Sequence, residues 1–222
     1  MTPSTLMNAI MNPVSYEEWY HTERGRWIGD TETGLLMRML GPRAGASCLD
    51  VGCGTGYFSR RFAGARLIVT GVDSEERMLA YARAQDDRGL YVRGDAKALP
   101  FADKSFDYCT AVTSLCFVED PAQALREMLR VARHKVVLGL LNHQSLLYRQ
   151  KLGQGGYTGA RWDRIETVKG WLEGSGVDAK IRARTAVFCP DGGIPARLAE
   201  RCLPTRLPWG SFLVVSFSQS QQ

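Results

Sequence analysis

The 222-residue chain is 45% hydrophobic and 23% charged, and no break in composition divides it, so we expect one domain over residues 1–222. The first residues lack a basic stretch followed by a continuous apolar one, and the densest apolar run, VVLGLL, is too short to cross a bilayer. We therefore expect a soluble cytoplasmic protein with no membrane partner. The arginines behind the net charge of +5 are scattered, which does not favour a nucleic-acid partner.

The six cysteines show no pattern of a metal site. They lie at positions 48, 53, 109, 116, 189 and 202, with no CxxC pair and no histidine at a spacing that zinc requires. In a reducing compartment such thiols stay free and are mostly buried. We therefore predict free thiols and no bound metal.

Five apolar-rich runs have the length of β-strands, and each is separated from the next by a stretch that can hold a helix. They are ASCLDV (46–51), RLIVTGVD (66–73), LYVRGD (90–95), FDYCTAV (106–112) and HKVVLGLL (134–141). Strands that alternate with helices indicate βαβ units. The sequence therefore predicts an α/β fold with a parallel sheet that is covered on both faces.

Two of the intervening helices can be predicted from their starts and their buried faces. Asp120 can cap a helix in which Pro121 takes the first position and the buried face contains Leu125, Met128, Leu129 and Ala132. Ser74 precedes EERMLAYARA, where two glutamates suit the positive end of the helix dipole and Met78, Tyr81, Ala82 and Gln85 share a face. Asp73 is thus expected to end a strand and precede a helix.

The segment DVGCGTGYF, residues 50–58, places three glycines directly after the first predicted strand and before a predicted helix, YFSRRFAG. Ligands of open α/β sheets bind at this place, outside the carboxyl ends of the strands. The glycines at 52, 54 and 56 allow a tight turn and a close approach of a ligand to the backbone. Asp73 follows about 20 residues later, as a ribose-binding carboxylate does. The pattern indicates an adenosine-like ligand.

The loop departs from the dinucleotide pattern GxGxxG, because Tyr57 stands where that pattern has its third glycine. Asp50 also precedes the glycines, and a carboxylate there repels a pyrophosphate but attracts a ligand that carries an ammonium group. The residues therefore favour S-adenosylmethionine over NAD. An NAD-dependent oxidoreductase remains an alternative.

Three segments together resemble the class I S-adenosylmethionine-dependent methyltransferases of the small-molecule kind, called the type 11 methyltransferase domain. They are LDVGCGTG, VTGVDSEERMLAYARA and VRGDAKALPFADKSFDYCTAVTSLCFVEDPAQALREMLRVAR, and the resemblance covers about residues 45–140. It implies S-adenosyl-L-methionine as cofactor and S-adenosyl-L-homocysteine as product. It also implies a Rossmann-like, mainly parallel seven-stranded sheet with an antiparallel last strand and helices on both faces.

The resemblance implies a site residue by residue. The methionine portion of the cofactor would contact Asp50, Gly52, Cys53, Gly54, Thr113 and Ser114. The adenosine portion would contact Asp73 through both ribose hydroxyls, and it would further contact Ser74, Met78, Asp95 and Ala96.

The rest of the chain would complete the domain around a cofactor-binding core at about 45–142. The strands KIRARTAVFC (180–189) and GSFLVVSFS (210–218) would form the last hairpin, joined by a long connection over 190–209. A helical cap over about 1–42 would pack across the cofactor mouth, with Tyr16, Trp19 and Arg26 lining the site. A substrate-side lid, together with the last hairpin, would occupy about 143–218.

Methyl transfer requires little of the protein, because proximity and orientation supply most of the rate. Where the acceptor must lose a proton, His143 is the first candidate base, since it follows the fifth strand at the ligand-binding edge. Tyr157 and His21, in the flanking segments, come next. The acceptor would be an oxygen, nitrogen, sulfur or carbon nucleophile of a small metabolite, and the protein a monomer or homodimer.

Two further functions stay open. A non-catalytic S-adenosylmethionine-binding module would also lack an unmistakable catalytic residue. A nucleic-acid methyltransferase is disfavoured, because the fourth strand ends in AVTSLCF rather than in the Asn/Asp-Pro-Pro-aromatic signature. A Pro-Cys nucleophile is absent as well, since Cys189 precedes Pro190 instead of following a proline.

Overall fold

The computed structural model describes residues 12–173 and 179–219. Within these ranges the α-helices are α1 (Pro13–His21), α2 (Glu23–Leu40), α3 (Tyr57–Gly64), α4 (Glu76–Gln85), α5 (Pro121–Val131), α6 (Leu146–Lys151), α7 (Ile165–Gly170) and α8 (Ile194–Cys202). The strands are β1 (Ser47–Val51), β2 (Ile68–Asp73), β3 (Leu90–Arg93), β4 (Phe106–Val112), β5 (Ala132–Leu141), β6 (Ala179–Ala186) and β7 (Phe212–Gln219). Residues 1–11 of the predicted cap lie outside the described part.

The strands form one seven-stranded sheet in the order β3-β2-β1-β4-β5-β7-β6. Strands β1 to β5 pair in parallel, whereas β7 inserts antiparallel between β5 and β6. The predicted fold class, including the antiparallel last strand, is confirmed. The order in which strands are added reverses between β1 and β4. At such a topological switch point the carboxyl ends of the strands leave a crevice for a ligand.

The centre of the sheet is buried on both faces, as the near-continuous apolar runs predict. In β5 every residue from Val136 to Leu141 is buried, and the neighbouring β7 is buried from Phe212 to Phe217. Gly139 is required for this packing, because a Cβ there would lie 2.3 Å from the Phe212 ring. Helices from both sides cover these strands and fix the positions of their carboxyl ends.

Helix α5 begins as predicted, with the Asp120 carboxylate accepting a hydrogen bond from the Gln123 backbone N–H at 2.9 Å. Leu125, Met128 and Leu129 are buried on one face of the helix. The helix ends at Val131, so that Ala132, predicted as part of the helical face, is instead the first residue of β5. There it is fully buried.

Helix α4 differs from the prediction in its start and in its buried face. Glu75 rather than Ser74 precedes the first helical residue. The buried residues are Leu79 and Ala82, whereas Gln85 is exposed. Burial of the apolar Leu79 therefore sets the orientation of this helix, and the neighbouring Met78 is only partly buried.

The connection between β6 and β7 was predicted as a long connection over 190–209, and the structure places helix α8 inside it. Pro195 stands in the first turn of this helix, where its missing N–H costs no hydrogen bond. No helix in the described ranges is both long and apolar enough to cross a membrane.

Candidate active site

A cavity of about 490 Å³ lies at the carboxyl ends of β1, β2 and β4. Its floor, as we call it, comes from the segments that follow those strands and β3, and includes residues 50–55, 73–75, 78, 94–96 and 112–118. Its roof comes from α1, α2, the segment around residues 147–157 and the start of the β6–β7 connection. The volume is that of a small-molecule site.

The glycine loop, residues 52–56, has the backbone conformation that its sequence predicts. Gly52, Gly54 and Gly56 have φ of 68°, 53° and 78°, which side chains strongly disfavour. A Cβ on Gly52 would lie 2.3 Å from the Ser114 Cβ, whereas a Cβ on Gly54 would meet nothing within 4 Å. Gly52 therefore brings two segments into close contact, and Gly54 leaves open backbone beside the cavity.

Asp73 lines the same cavity and is fixed against the glycine loop. Its Oδ2 accepts from the Gly54 N–H at 2.8 Å and its Oδ1 from the Glu75 N–H at 3.0 Å. Burial raises the pKa of this carboxyl, although the two backbone donors lower it in part. Each carboxylate oxygen has a second lone pair, so Asp73 can also accept hydrogen bonds from a ligand in the cavity.

Asp50 lies at the base of the cavity and is only 2% exposed. Ser59 donates to its Oδ2 at 2.6 Å, and Thr110 donates to its Oδ1 at 3.2 Å. Burial nevertheless raises its pKa to about 6. This carboxyl is thus held by hydroxyl groups, and among the described residues no basic side chain is bonded to it, so a cationic group of a ligand would stabilise its charge.

The predicted adenosine contacts line the other end of the floor. They are Ser74, Met78, Asp95 and Ala96. Asp95 also forms a turn, because its Oδ1 accepts from the Lys97 N–H at 2.8 Å. Its side chain remains 57% exposed, and its Oδ2 lies 4.0 Å from Lys97 Nζ.

The floor also contains Cys53, Thr113 and Ser114. Burial raises the pKa of the Cys53 thiol well above its ordinary value, so the thiol stays neutral. Ser114 Oγ donates to the Val51 carbonyl at 2.7 Å and ties the ends of β1 and β4 together. Thr113 has a positive φ of 49°, an uncommon conformation for a residue other than glycine and one that typically occurs at functional sites.

The roof is rich in aromatic side chains. Tyr16, Trp19 and Tyr20 of α1 all line the cavity, as predicted for the first two. The Tyr20 ring stacks on Tyr57 at 3.6 Å between centroids, and the Tyr16 and Tyr20 hydroxyls lie 3.3 Å apart. Helix α1 is thereby packed directly over the start of α3, where the glycine loop ends.

Arg26, which was predicted to line the site, is not among the residues that line the cavity. Arg24 lines the cavity in its place, with its Nε donating to the Pro190 carbonyl at 2.6 Å. The reason is the phase of α2. Residues four apart share a helix face, and Arg24, Ile28 and Glu32 are the α2 residues that line the cavity.

His143, the first candidate base, is likewise not among the residues that line the cavity. Its ring stacks on Tyr148 at 4.1 Å between centroids, and its Nδ1 accepts from Arg164 Nε at 3.2 Å. His21 is exposed at the end of α1 and likewise lies outside the lining. Of the candidate bases, only Tyr157 lines the cavity.

Several lining residues were not identified from the sequence, and they share little local signal. They include Arg24, Ile28, Glu32, Leu147 and Phe212. The first three could have been found from their four-residue spacing on α2. The other two reach the cavity only because the β5–α6 connection and the start of β7 converge there.

The floor of the cavity lies within the part of the chain that resembles a known protein family. Residues 49–139 match the family model described as a methyltransferase domain. The chain is 38% identical over 113 residues to malonyl-[acyl-carrier protein] O-methyltransferase of Erwinia pyrifoliae, covering 51% of this chain and 42% of that protein. It is 39% identical over 111 residues to demethylmenaquinone methyltransferase of Renibacterium salmoninarum, covering 49% and 47%. The chain thus spans less than half the length of these curated relatives.

The similarity in structure extends over nearly the whole chain. A crystal structure of an S-adenosylmethionine-dependent methyltransferase from Thermotoga maritima, described as a possible histamine N-methyltransferase, superposes with a TM-score of 0.73 at 27% identity. The match covers 93% of this chain and 95% of that one. Most of the chain that follows β5 is therefore part of the shared fold.

Proposed function

We propose that this chain is an S-adenosylmethionine-dependent methyltransferase and that it transfers the methyl group of S-adenosylmethionine to a small metabolite. The observation that carries the proposal is the contact between Asp73 and the glycine loop. The carboxylate at the end of β2 bonds to Gly54 N–H, and both residues line one cavity with Asp50 and Asp95. A methionine-binding end and an adenosine-binding end thus lie in a single cavity.

The residues fit this cofactor at both ends. We assign the ribose hydroxyls to Asp73, whose carboxylate is held in place by two backbone N–H groups. We assign the cofactor ammonium to the end of the cavity at Asp50, where no basic side chain bonds to the buried carboxyl. The exposed carboxylate of Asp95 and the side chain of Met78 are assigned to the adenine. The open backbone at Gly54 allows the cofactor to approach closely.

The cofactor supplies an electrophilic methyl group, so the protein has to orient the acceptor and exclude water. The aromatic roof over the floor excludes water and provides an apolar surface for the acceptor. Tyr157 is assigned to this surface. Burial raises the pKa of its hydroxyl, which therefore stays neutral near pH 7 and is a poor proton acceptor. Catalysis by proximity requires no dedicated base in the lining.

We propose a small metabolite as methyl acceptor, with S-adenosylhomocysteine as the second product, and a cytoplasmic site of action. The two curated relatives act on malonyl-[acyl-carrier protein] and on demethylmenaquinone, according to their names. The match covers less than half of the length of each, so these relatives support the methyl transfer and leave the acceptor open. The oligomeric state, monomer or homodimer, stays a prediction.

The proposal can be tested by incubating the purified protein with methyl-labelled S-adenosylmethionine and a metabolite extract. The expected result is transfer of label to one or a few small compounds, which mass spectrometry identifies. Asp73→Ala should abolish the transfer at low cofactor concentration, and Asp87→Ala, at an exposed position, should not. Tight cofactor binding with no transfer to any compound would contradict the proposal and favour the non-catalytic binding module.

A further inference from the structure

Glu32 places a carboxyl group in the roof of the cavity. It lies on α2 and lines the cavity together with Ile28, one helical turn before it. In the described ranges its side chain has no hydrogen bond and no ion pair. The function proposed above, with its cofactor on the floor, does not use this carboxyl.

The nearby basic groups have other partners. The Arg61 guanidinium, whose charge lowers the pKa of Glu32, forms its ion pair with Asp30 at 2.6 Å. Arg24 is bonded to the Pro190 carbonyl and lies eight residues before Glu32 on the same helix, about 12 Å along its axis. Glu32 is thus the acidic group of the roof without a bonded counter-ion.

Phenols line the same cavity as Glu32: Tyr16 and Tyr20 on α1, Tyr57 on α3 and Tyr157 in the 155–157 turn. The negative charge of Glu32 contributes to raising the pKa of all four. Four tyrosines from three separate segments therefore share the cavity with this carboxyl. Removal from bulk water raises the pKa of Glu32 itself to about 8.

A role for Glu32 in stability does not account for this arrangement. A partly buried carboxyl with no donor destabilises the fold, since its desolvation is not offset by hydrogen bonds. A neutral side chain of similar size would avoid that cost. The spacing of Arg24, Ile28 and Glu32 directs the carboxyl to the cavity, where a ligand can supply the missing partner.

We propose that Glu32 is the counter-ion of the methyl acceptor, that the acceptor is a small cationic amine, and that the ammonium group held by Glu32 is not the methylated atom, because a protonated nitrogen has no lone pair to attack the methyl group. This inference rests on the proposed function and names its substrate class. A carboxylate in a cavity lined by aromatic rings attracts an ammonium group in two ways, through the ion pair and through the negative faces of the rings. The same carboxylate disfavours an anionic acceptor, because like charges repel strongly where water is excluded.

The binding of three phenyl compounds that differ in charge tests the proposal. Phenethylamine, 2-phenylethanol and 3-phenylpropanoate are titrated by calorimetry into the protein saturated with S-adenosylhomocysteine, near pH 8. We expect the amine to bind at least tenfold more tightly than the alcohol, and the anion most weakly. Equal affinity for amine and alcohol, or no amine binding at millimolar concentration, would overturn the proposal.

The variant Glu32→Gln extends the test, with Glu18→Gln on the exposed side of α1 as its matched control. Glu32→Gln should lower the affinity for phenethylamine at least tenfold, leave that for 2-phenylethanol within twofold and leave S-adenosylhomocysteine binding unchanged. Unchanged amine binding in Glu32→Gln would contradict the role of this residue. The comparison of the three compounds uses the wild-type protein, so it does not depend on whether any variant folds.

The two proposals fail in different ways. If S-adenosylhomocysteine does not bind to the wild-type protein, the proposed function itself is wrong. If it binds but the amine has no advantage over the alcohol, only the assignment of Glu32 is wrong.

Discussion

The Arg60 guanidinium of α3 forms an ion pair with the buried Glu17 carboxylate of α1. The same guanidinium donates to the Thr55 carbonyl of the glycine loop at 2.8 Å. One side chain thus ties the first described helix to the loop that we assign to the cofactor. The second oxygen of Glu17 has no hydrogen-bond partner, so the ion pair accounts for the placement of this carboxylate.

Replacing Glu17 by alanine should lower the free energy of unfolding by about 2 kcal/mol, because Arg60 loses its partly buried partner. Urea denaturation measures the change, and amide exchange should accelerate in α1. Glu18→Ala is the control, since Glu18 is exposed on the same helix. Equal effects of the two substitutions would show that the ion pair contributes nothing.

Alanine substitutions at three glycines should separate backbone strain from steric contact. Gly45 has a φ of 78° and open space around it, so Gly45→Ala should cost about 1 kcal/mol of stability through strain alone. Gly52→Ala should cost about 1–3 kcal/mol more, since its Cβ would overlap with Ser114. Gly54→Ala should resemble Gly45→Ala in stability but weaken cofactor binding. A similar denaturation midpoint for all three would contradict this ranking.

The raised pKa of Asp50 predicts a pH dependence of stability. The folded protein keeps the Asp50 proton up to about pH 6, whereas the unfolded chain loses it near the ordinary value of 3.8. The contribution of Asp50 should therefore fall as pH rises from about 4 to about 6, by up to about 3 kcal/mol, and stay constant above. The measurement is the unfolding free energy of the wild type minus that of Asp50→Asn, which should fall as pH rises over this range. An increase of this quantity with pH would refute the assignment.

The same carboxyl predicts a second effect, on ligand binding. A cationic group beside Asp50 favours its charged form and lowers its pKa. Affinity for S-adenosylmethionine should therefore rise between about pH 5 and pH 7 in the wild type and rise less in Asp50→Asn. Calorimetric titrations at several pH values compare the two proteins.

His143→Ala should leave turnover of the identified acceptor unchanged, because the ring packs on Tyr148 outside the cavity. A general base contributes about 10²–10⁴-fold to a rate, so a fall of a hundredfold in kcat would restore His143 as a catalytic residue.

Tyr157→Phe should lower kcat less than tenfold, since the proposed role needs the ring and not the hydroxyl. Tyr157→Ala, which removes the ring, is expected to raise KM.

The sequence alone predicted those features of the fold and the cavity that depend on neighbouring residues. The glycine loop, the end of β2 at Asp73 and the Asp120 cap each depend on residues within a few positions of one another. Their conformations are set by positive φ angles, by strand length and by capping hydrogen bonds, which the residue types themselves require. The number of strands and the antiparallel direction of the last one followed from the resemblance to a known family, and the strand order came from the structure.

Residues whose placement depends on distant contacts were not predictable. His143 follows β5, but Asn142 donates to the Pro208 and Gly210 carbonyls, more than 60 residues away, and the chain turns so that the His143 ring lies outside the cavity. The choice of Arg24 over Arg26 depends on how α2 packs against β5 and β7. Tertiary packing decides both: the four-residue spacing groups Arg24 with Ile28 and Glu32, but it does not show which face of α2 meets the cavity.

The central claim, that the cavity binds S-adenosylmethionine through Asp73 and the glycine loop, is tested most directly by calorimetric titration with S-adenosylmethionine and, separately, with NAD. We expect saturable binding of S-adenosylmethionine and none of NAD. Asp73→Ala should weaken binding by about 2 kcal/mol, roughly thirtyfold, through the loss of charge-assisted hydrogen bonds, while Asp87→Ala should not. Binding of NAD by a protein that does not bind S-adenosylmethionine would contradict the account.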